Sequence, residues 1–248
     1  MSDDNEAKKT QVGTIMLKGV RLSFADSLFV AEAGPRREKG KHKGKIPYRN
    51  SINLLLPDKG TPEGDAMYKA IQAKMIEARD AEWPKDPPKI KGEKLAMRDG
   101  DEEDWAGYAG RYYVSASRTT YGAKDAEDVT SSRPKRPFRI IGPRKRPDPE
   151  GGDAKFPDVS EGGTDAPYSG CYINCKVRFW AQDDEEYGKR INASIEAVQF
   201  ARDGEAFGGG QRTNVDDEFD EGEGDEFGDD DLGGGSASKV EDDDPLSI

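Results

Sequence analysis

The fold is decided by one stretch of the chain, GCYINCKVRFWAQ at residues 170–182. Its side chains alternate without interruption between two kinds, which is typical of a β-strand with one buried face. The face expected to point into the core carries Cys171, Ile173, Cys175, Val177, Phe179 and Ala181. The opposite face carries Tyr172, Asn174, Lys176, Arg178, Trp180 and Gln182.

The opposite face of this strand combines aromatic rings, cations and amides. Such a combination is typical of a surface on which bases stack and phosphates meet positive charge, so Tyr172, Lys176, Arg178 and Trp180 are the first candidate nucleic-acid contacts. A loop or helix that covers Tyr172 and Trp180 would explain the two aromatic residues equally well.

The rest of the body predicts a mainly β domain with one main helix. The helix begins at an N-cap formed by Thr61, with Pro62 as its first residue, and reaches about residue 81. Five or six strands with one helix and long loops suit a strongly curved antiparallel sheet or barrel. The other strand patterns occupy residues 12–24, 46–56, 110–117, 137–141 and 190–202, the last with a bulge where the apolar phase shifts between Ala197 and Val198.

The charge of this chain of 248 residues is concentrated at one end. The whole chain has a net charge of −12, but residues 203–248 hold 17 acidic and two basic residues, a net −15, which leaves +3 for residues 1–202. The acidic segment is rich in Gly and Ser with isolated apolar residues, so we expect residues 203–248 to be a disordered tail. We also expect disorder at residues 1–11, and one folded domain over residues 12–202.

The acidic tail is either a solubilising appendage or an interaction segment. Its end favours interaction, because an acidic run before a short apolar tip can be steered to a basic pocket and anchored there. The residues of this predicted partner-binding tip are Asp242, Asp243, Asp244, Pro245, Leu246 and Ile248.

Two segments of the body are strongly basic. Residues 36–45 hold six Lys or Arg residues and residues 133–146 hold seven, and Gly or Pro in both predicts loops or strand edges. Two such loops in an otherwise acidic chain indicate a surface that follows phosphates. Phe138 has two interpretations, as a stacking residue or as a core residue. With the outward side of the strand at 110–117, the further candidate contacts are Arg111, Tyr113, Lys135, Arg136, Phe138, Arg139, Lys41, Lys43 and Lys45.

The reactive side chains do not indicate an enzyme. His42, the single histidine, lies in a basic loop with no identifiable partner for general-base catalysis. The acidic run at residues 99–104 is interpreted as a surface loop, with the carboxylates of a two-metal nuclease as the alternative. We expect no catalytic residue, no metal and no cofactor.

Cys171 and Cys175 lie four residues apart on one strand, about 13 Å from each other. This distance is too long for a disulfide, and the spacing is not that of a zinc site. Two reduced thiols favour a cytoplasmic protein. No stretch approaches the roughly 20 apolar residues of a membrane helix, and the N-terminus shows no signal peptide.

Several stretches carry a resemblance to a known family. They include GVRLSF (19–24), YRNSINLLLPDKG (48–60), LAMRDGD (95–101), GYAGRYYVSAS (107–117), YSGCYINCKVRFWAQD (168–183) and GKRINASIEAVQFARDGEAFGGG (188–210). On these residues the chain resembles a family of phage-encoded single-stranded-DNA-binding proteins with an OB-like fold, formerly a family of unknown function. The resemblance implies an OB-type core and binding of single strands with little sequence preference.

The tail also resembles those of bacterial and phage replication single-strand-binding proteins, whose tips recruit partner enzymes, although here the tip ends in Ile248 and not in Phe. The resulting hypothesis is a protein that protects single-stranded DNA during phage DNA replication, recombination or repair, in the host-cell cytoplasm. Its tail would compete with DNA and recruit phage or host proteins. The alternative is a strand-annealing recombination mediator, and either protein could form homo-oligomers.

Overall fold

The computed structural model describes residues 12–38, 42–105, 107–124, 138–147, 153–163, 165–184 and 188–207. Helix α1 covers Asp26–Phe29, α2 covers Pro62–Glu82, and 3₁₀ turns lie at Gly92–Lys94 and Gly100–Glu102. The strands are β1 (Thr14–Ser23), β2 (Glu32–Ala33), β3 (Lys45–Leu55), β4 (Met97–Asp99), β5 (Tyr112–Lys124), β6 (Arg139–Ile141), β7 (Tyr172–Asp184) and β8 (Gly188–Arg202).

Five of these strands pair in a ring. β3 pairs with β1, β1 with β7, β7 with β8, β8 with β5, and β5 returns to β3. The ring is joined narrowly between β5 and β8, where only Ala116 with Ala193 and Ser117 with Ser194 are in register. The result is a strongly curved sheet whose strands form a ring, not an evenly closed barrel. The prediction of a mainly β fold with one main helix is confirmed, and the structure adds two parallel pairings, β5–β8 and β6–β8.

The core forms on the inner face of this ring. Cys171, Ile173, Cys175, Val177 and Phe179 of the β7 region are all buried, which confirms the predicted alternation. Burial raises the pKa of the Cys175 thiol to about 12, so the thiol stays protonated at neutral pH. No helix within the described ranges is long and apolar enough to cross a membrane.

Helix α2 packs its apolar stripe, Ile71, Met75 and Ala78, into the same core. Its start is confirmed, because the backbone N–H of Gly64 donates to Thr61 Oγ1 at 3.1 Å and Pro62 follows the cap. Such a cap satisfies one of the helix's unpaired N–H groups.

Strand β8 contains a bulge at Glu196. Lys176 is opposite Ala197 and Val177 is opposite Ile195, so Glu196 has no partner on β7. The bulge lies slightly before the predicted position between Ala197 and Val198. At the same place β8 changes its other neighbour, from β5 at Ser194 to β6 at Ala197. Glu196 therefore sits in the fork between β5 and β6.

A second, smaller hydrophobic cluster covers one end of the outer face. It consists of Leu55, Tyr108 and Tyr113, with Phe207 packed against them. Tyr113 is only 3% exposed, so the prediction that its side chain is available on the outside is wrong. Strand alternation placed it correctly on the outer face, but the turn that contains Tyr108 covers that face.

Residues 203–207, which the sequence predicts to be part of the tail, lie against the body. Arg21 Nη2 donates to the Glu205 carbonyl at 2.6 Å, and the Arg21 guanidinium lies 4.2 Å from the Phe207 ring centroid. The remainder of the predicted tail, and residues 1–11, lie outside the described residues.

Candidate nucleic-acid interface

The outward face of β7 presents Lys176, Arg178 and Trp180 together, as the alternation predicted. Lys176 is exposed and Trp180 is 37% exposed. The Trp180 indole N–H donates to Ser194 Oγ on β8 at 2.9 Å. This bond orients the ring while leaving part of it open to solvent, which suits stacking against a base.

Arg178 belongs to a charged triad at the fork between β5 and β6. Arg118 Nη1 lies 2.9 Å from Glu196 Oε1, and Arg178 Nε lies 3.6 Å from the same oxygen. The bulge at Glu196 allows this contact, because it adds a residue where β8 separates from β5.

A cleft next to Trp180 crosses β8, β5 and β3, and we call it the basic cleft. It begins at Asn192, which is paired with Trp180 across β7 and β8. Its floor contains the small polar side chains Ser115 and Ser117. Its charged lining residues are four cations, Arg49, Lys94, Arg98 and Arg190, and one acidic residue, Glu93.

The basic cleft is not evident from the sequence, because its cations come from three stretches far apart in the chain: Arg49 in β3, Lys94 with Arg98 before and in β4, and Arg190 in β8. One signal could have indicated part of it: Arg49, Ser51 and Asn53 alternate with buried residues along β3, as in the β7 region. The two basic loops are recognisable as runs rich in Lys and Arg, and the cations of the basic cleft do not form such a run.

One arginine nitrogen in the basic cleft and one in the charged triad lack a hydrogen-bond acceptor. Among the described residues, Arg98 Nε and Arg178 Nε are the buried side-chain nitrogen or oxygen atoms without a hydrogen-bond partner. A buried N–H without an acceptor costs about 1–3 kcal/mol. Both atoms belong to cations of the candidate interface.

Tyr172 shares the outer face of β7 with Trp180, but neighbouring groups occupy its ring. The Arg202 guanidinium lies 3.5 Å from the ring centroid. The Gly204 backbone lies against the ring edge, where an added Cβ would come within 3.0 Å of a ring carbon. The Tyr172 ring is packed, as in the covering-loop alternative, whereas the Trp180 side chain is 37% exposed.

The other predicted residues are dispersed. Phe138 is 5% exposed and belongs to the core, which decides between its two interpretations. Arg111 pairs with Asp58 at 2.7 Å, and the exposed Arg139 lies 4.0 Å from Asp158. Lys43 is exposed in the turn before β3 and Lys45, the first residue of β3, is half-buried, but neither lines the basic cleft. Lys41, Lys135 and Arg136 lie outside the described residues.

The second basic segment contributes to a different cavity. Arg144, Lys145 and Arg146 line it together with Arg202 from the end of β8. Arg146 is paired with Asp165 across this cavity, so part of its positive charge is compensated.

The acidic run at 99–104 is engaged in structural contacts. Lys59 pairs with both Asp99 and Asp101, and the Tyr113 hydroxyl donates to Glu103 at 2.5 Å. Hydrogen bonds from Lys59 and from the Gly110 N–H hold the pKa of Asp101 below its usual value. Among the described residues, no group of three or more His, Cys, Asp or Glu side chains could hold a metal ion.

A five-stranded, only partly closed ring of strongly curved strands is typical of the OB-like fold class. The family model described as "Enterobacter phage Enc34, ssDNA-binding protein" matches residues 13–231. The chain belongs to this family, which confirms the resemblance inferred from the sequence motifs.

One relative and two solved structures are similar to the chain. "Putative protein p50" of Acyrthosiphon pisum secondary endosymbiont phage 1 is 33% identical over 214 residues, 84% of this chain and 92% of the relative. The single-stranded DNA-binding protein from bacteriophage Enc34 in complex with ssDNA has a TM-score of 0.53 at 22% identity, covering 80% of this chain and 91% of that chain. A second structure of the Enc34 protein has a TM-score of 0.52 at 23% identity, covering 85% of this chain and 92% of that chain. These structures support the fold.

Proposed function

We propose that this protein binds single-stranded DNA across the outer face of its strand ring. The observation that carries the proposal is the basic cleft, in which Arg49, Lys94, Arg98 and Arg190 surround a floor of small polar side chains. Membership of a family described by ssDNA binding, and similarity to a structure in complex with ssDNA, support the same ligand.

The division of roles follows from the side chains. The four cleft cations, with Lys176 and Arg178 beside them, provide positive charge along the path of a phosphate backbone. Trp180 provides a ring on which a base can stack, an interaction that tolerates any base. Ser115, Ser117 and Asn192 are short and leave room for unpaired bases. We therefore expect little sequence preference.

The cleft is tested by removing two of its exposed cations. Arg49→Ala with Lys94→Ala should weaken binding to a labelled oligo-dT and should reduce the slope of log K against log[salt]. The slope should fall by about 0.7 for each phosphate that the variant no longer neutralises. Fluorescence anisotropy at several KCl concentrations measures both quantities.

A matched control has the same change in net charge. Lys69→Ala with Lys85→Ala removes two exposed lysines that do not line the basic cleft. If the control pair weakened binding as much as the cleft pair, nonspecific charge and not the cleft would account for affinity.

We further propose that the protein acts in phage DNA replication, recombination or repair, in the cytoplasm of the host cell. In this role the acidic tail competes with DNA for the basic cleft, and its tip, from Asp242 to Ile248, recruits phage or host proteins. The charge distribution supports competition, because a tethered −15 segment meets a +3 body at high effective concentration. Loss of a captured replication protein on deletion of Pro245–Ile248 would support recruitment.

A further inference from the structure

The charged triad at the fork between β5 and β6 places a carboxylate beside two cations, of which Arg178 belongs to the outer face of β7. Arg118 comes from β5, Arg178 from β7, and Glu196 from the bulge of β8. One oxygen, Glu196 Oε1, serves both cations, at 2.9 Å from Arg118 and 3.6 Å from Arg178.

One N–H group of the triad has no hydrogen-bond acceptor. Arg178 Nε is buried and has no hydrogen-bond partner, because its distance to the carboxylate is too long for a good hydrogen bond. All three side chains remain roughly a third exposed, with relative exposures of 32% for Arg118, 28% for Arg178 and 29% for Glu196. Part of each side chain is therefore accessible to an anion from solution, although the Arg178 Nε atom itself is covered.

We propose that Arg118 and Arg178 form a phosphate site, and that Glu196 occupies this site as an internal anion until a phosphate of the bound strand displaces it. This inference rests on the proposed function, since the phosphate comes from single-stranded DNA. Trp180 and Arg178 lie two residues apart on the same face of β7, so a base on Trp180 places its phosphates near the triad.

The consequence of this displacement is that Glu196 reduces the affinity for DNA without changing the fold. A phosphate offers three acceptor oxygens and can satisfy both guanidinium groups, whereas the carboxylate leaves one N–H without a bond. Because the carboxylate must first be displaced, part of the free energy released by phosphate binding is lost. Glu196 thus weakens binding to DNA while keeping the two arginines in place in the free protein.

The test is Glu196→Gln, which keeps the size of the side chain and removes its charge. We expect affinity for oligo-dT at low salt to rise about two- to fivefold, the range for an exposed ion pair. The salt slope should steepen by about 0.7 for each additional phosphate that the variant neutralises. Glu77→Gln in helix α2, which removes another ion-paired carboxylate, is the control and should leave affinity unchanged.

A second pair of variants separates local from general charge effects. Arg118→Ala should weaken binding, and in the Arg118→Ala background Glu196→Gln should raise affinity much less. An equal rise in affinity with and without Arg118 would mean that Glu196 acts only through the overall field, and the inference would be wrong.

Two other results would also overturn the inference. If Glu196→Gln bound no more tightly than the unaltered protein, or bound more weakly while lowering the melting temperature, Glu196 would serve only to hold the fork together. If the unaltered protein did not bind oligo-dT, the proposed function would be wrong and this inference would be wrong with it.

Discussion

Trp180 and Tyr172 lie on the same face of one strand, yet their surroundings differ. Trp180 has its N–H fixed by Ser194 and part of its ring open, whereas Tyr172 is packed between Arg202 and Gly204. The alternation of β7 assigns both to the outside, but it does not indicate which one a neighbouring segment covers.

Trp180 should therefore contribute to DNA binding. We expect Trp180→Ala to weaken binding to oligo-dT by about 1–3 kcal/mol, the range for one base stacked on an aromatic side chain. Trp105→Ala is the matched control, because Trp105 is 56% exposed and does not line the basic cleft. Anisotropy titrations of the two variants compare them directly, and an equal loss for both would contradict the assignment of Trp180.

At the scale of elements, the ends of strands decide what covers the outer face. The segment after β8 folds back beside the start of β7, where Gly170 and Gly204 bring two backbones together. An added Cβ on Gly170 would lie 2.1 Å from the Glu205 carbonyl oxygen, and one on Gly204 would lie 2.3 Å from the Gly170 oxygen. This close packing holds Phe207 over the outer cluster, and it explains why residues 203–207 belong with the body despite their polar sequence.

Substitution of Gly170 should consequently destabilise the domain. Gly170 has φ +102° and its Cβ would overlap backbone, so we expect Gly170→Ala to lower the free energy of unfolding by about 3 kcal/mol. Gly60 has φ +74° but open space around its Cβ position, so Gly60→Ala should cost only backbone strain, about 1 kcal/mol. Urea unfolding measures both, and equal losses would show that the backbone contact at Gly170 is unimportant.

At the scale of the whole molecule, the charge distribution relates the tail to the basic cleft. The chain continues into the tail from Phe207, which packs on Leu55 of β3 and Tyr113 of β5. These two strands also supply Arg49, Ser115 and Ser117 to the cleft. Phe207, from which the tail continues, therefore lies on the face of the ring that carries the basic cleft, where we propose that tail and DNA compete.

Deletion of residues 211–248 should tighten binding to oligo-dT at low salt, because it removes a competing acidic segment. The difference should shrink as salt rises, since screening weakens both interactions. A tail of the same length with its Asp and Glu residues replaced by Asn and Gln is the control and should behave like the deletion. Equal or weaker binding by the truncated protein at low salt would contradict the competition model.

The sequence by itself determined the strand pattern, the core residues of the β7 region, the capped start of helix α2 and the separation of a basic body from an acidic end. These features depend on local periodicity and composition, which short stretches contain in full. Motif resemblance was sufficient to identify the family.

Only the tertiary structure decided which outward residues form a site. Arg49, Lys94, Arg98 and Arg190 meet because β3 and β8 lie on either side of β5, with β4 and the turn at Gly92–Lys94 beside them. Glu196 reaches Arg118 and Arg178 because a bulge lies where β8 changes neighbours. Strand periodicity reports the face of a residue but not its neighbours, since those come from segments distant in the chain.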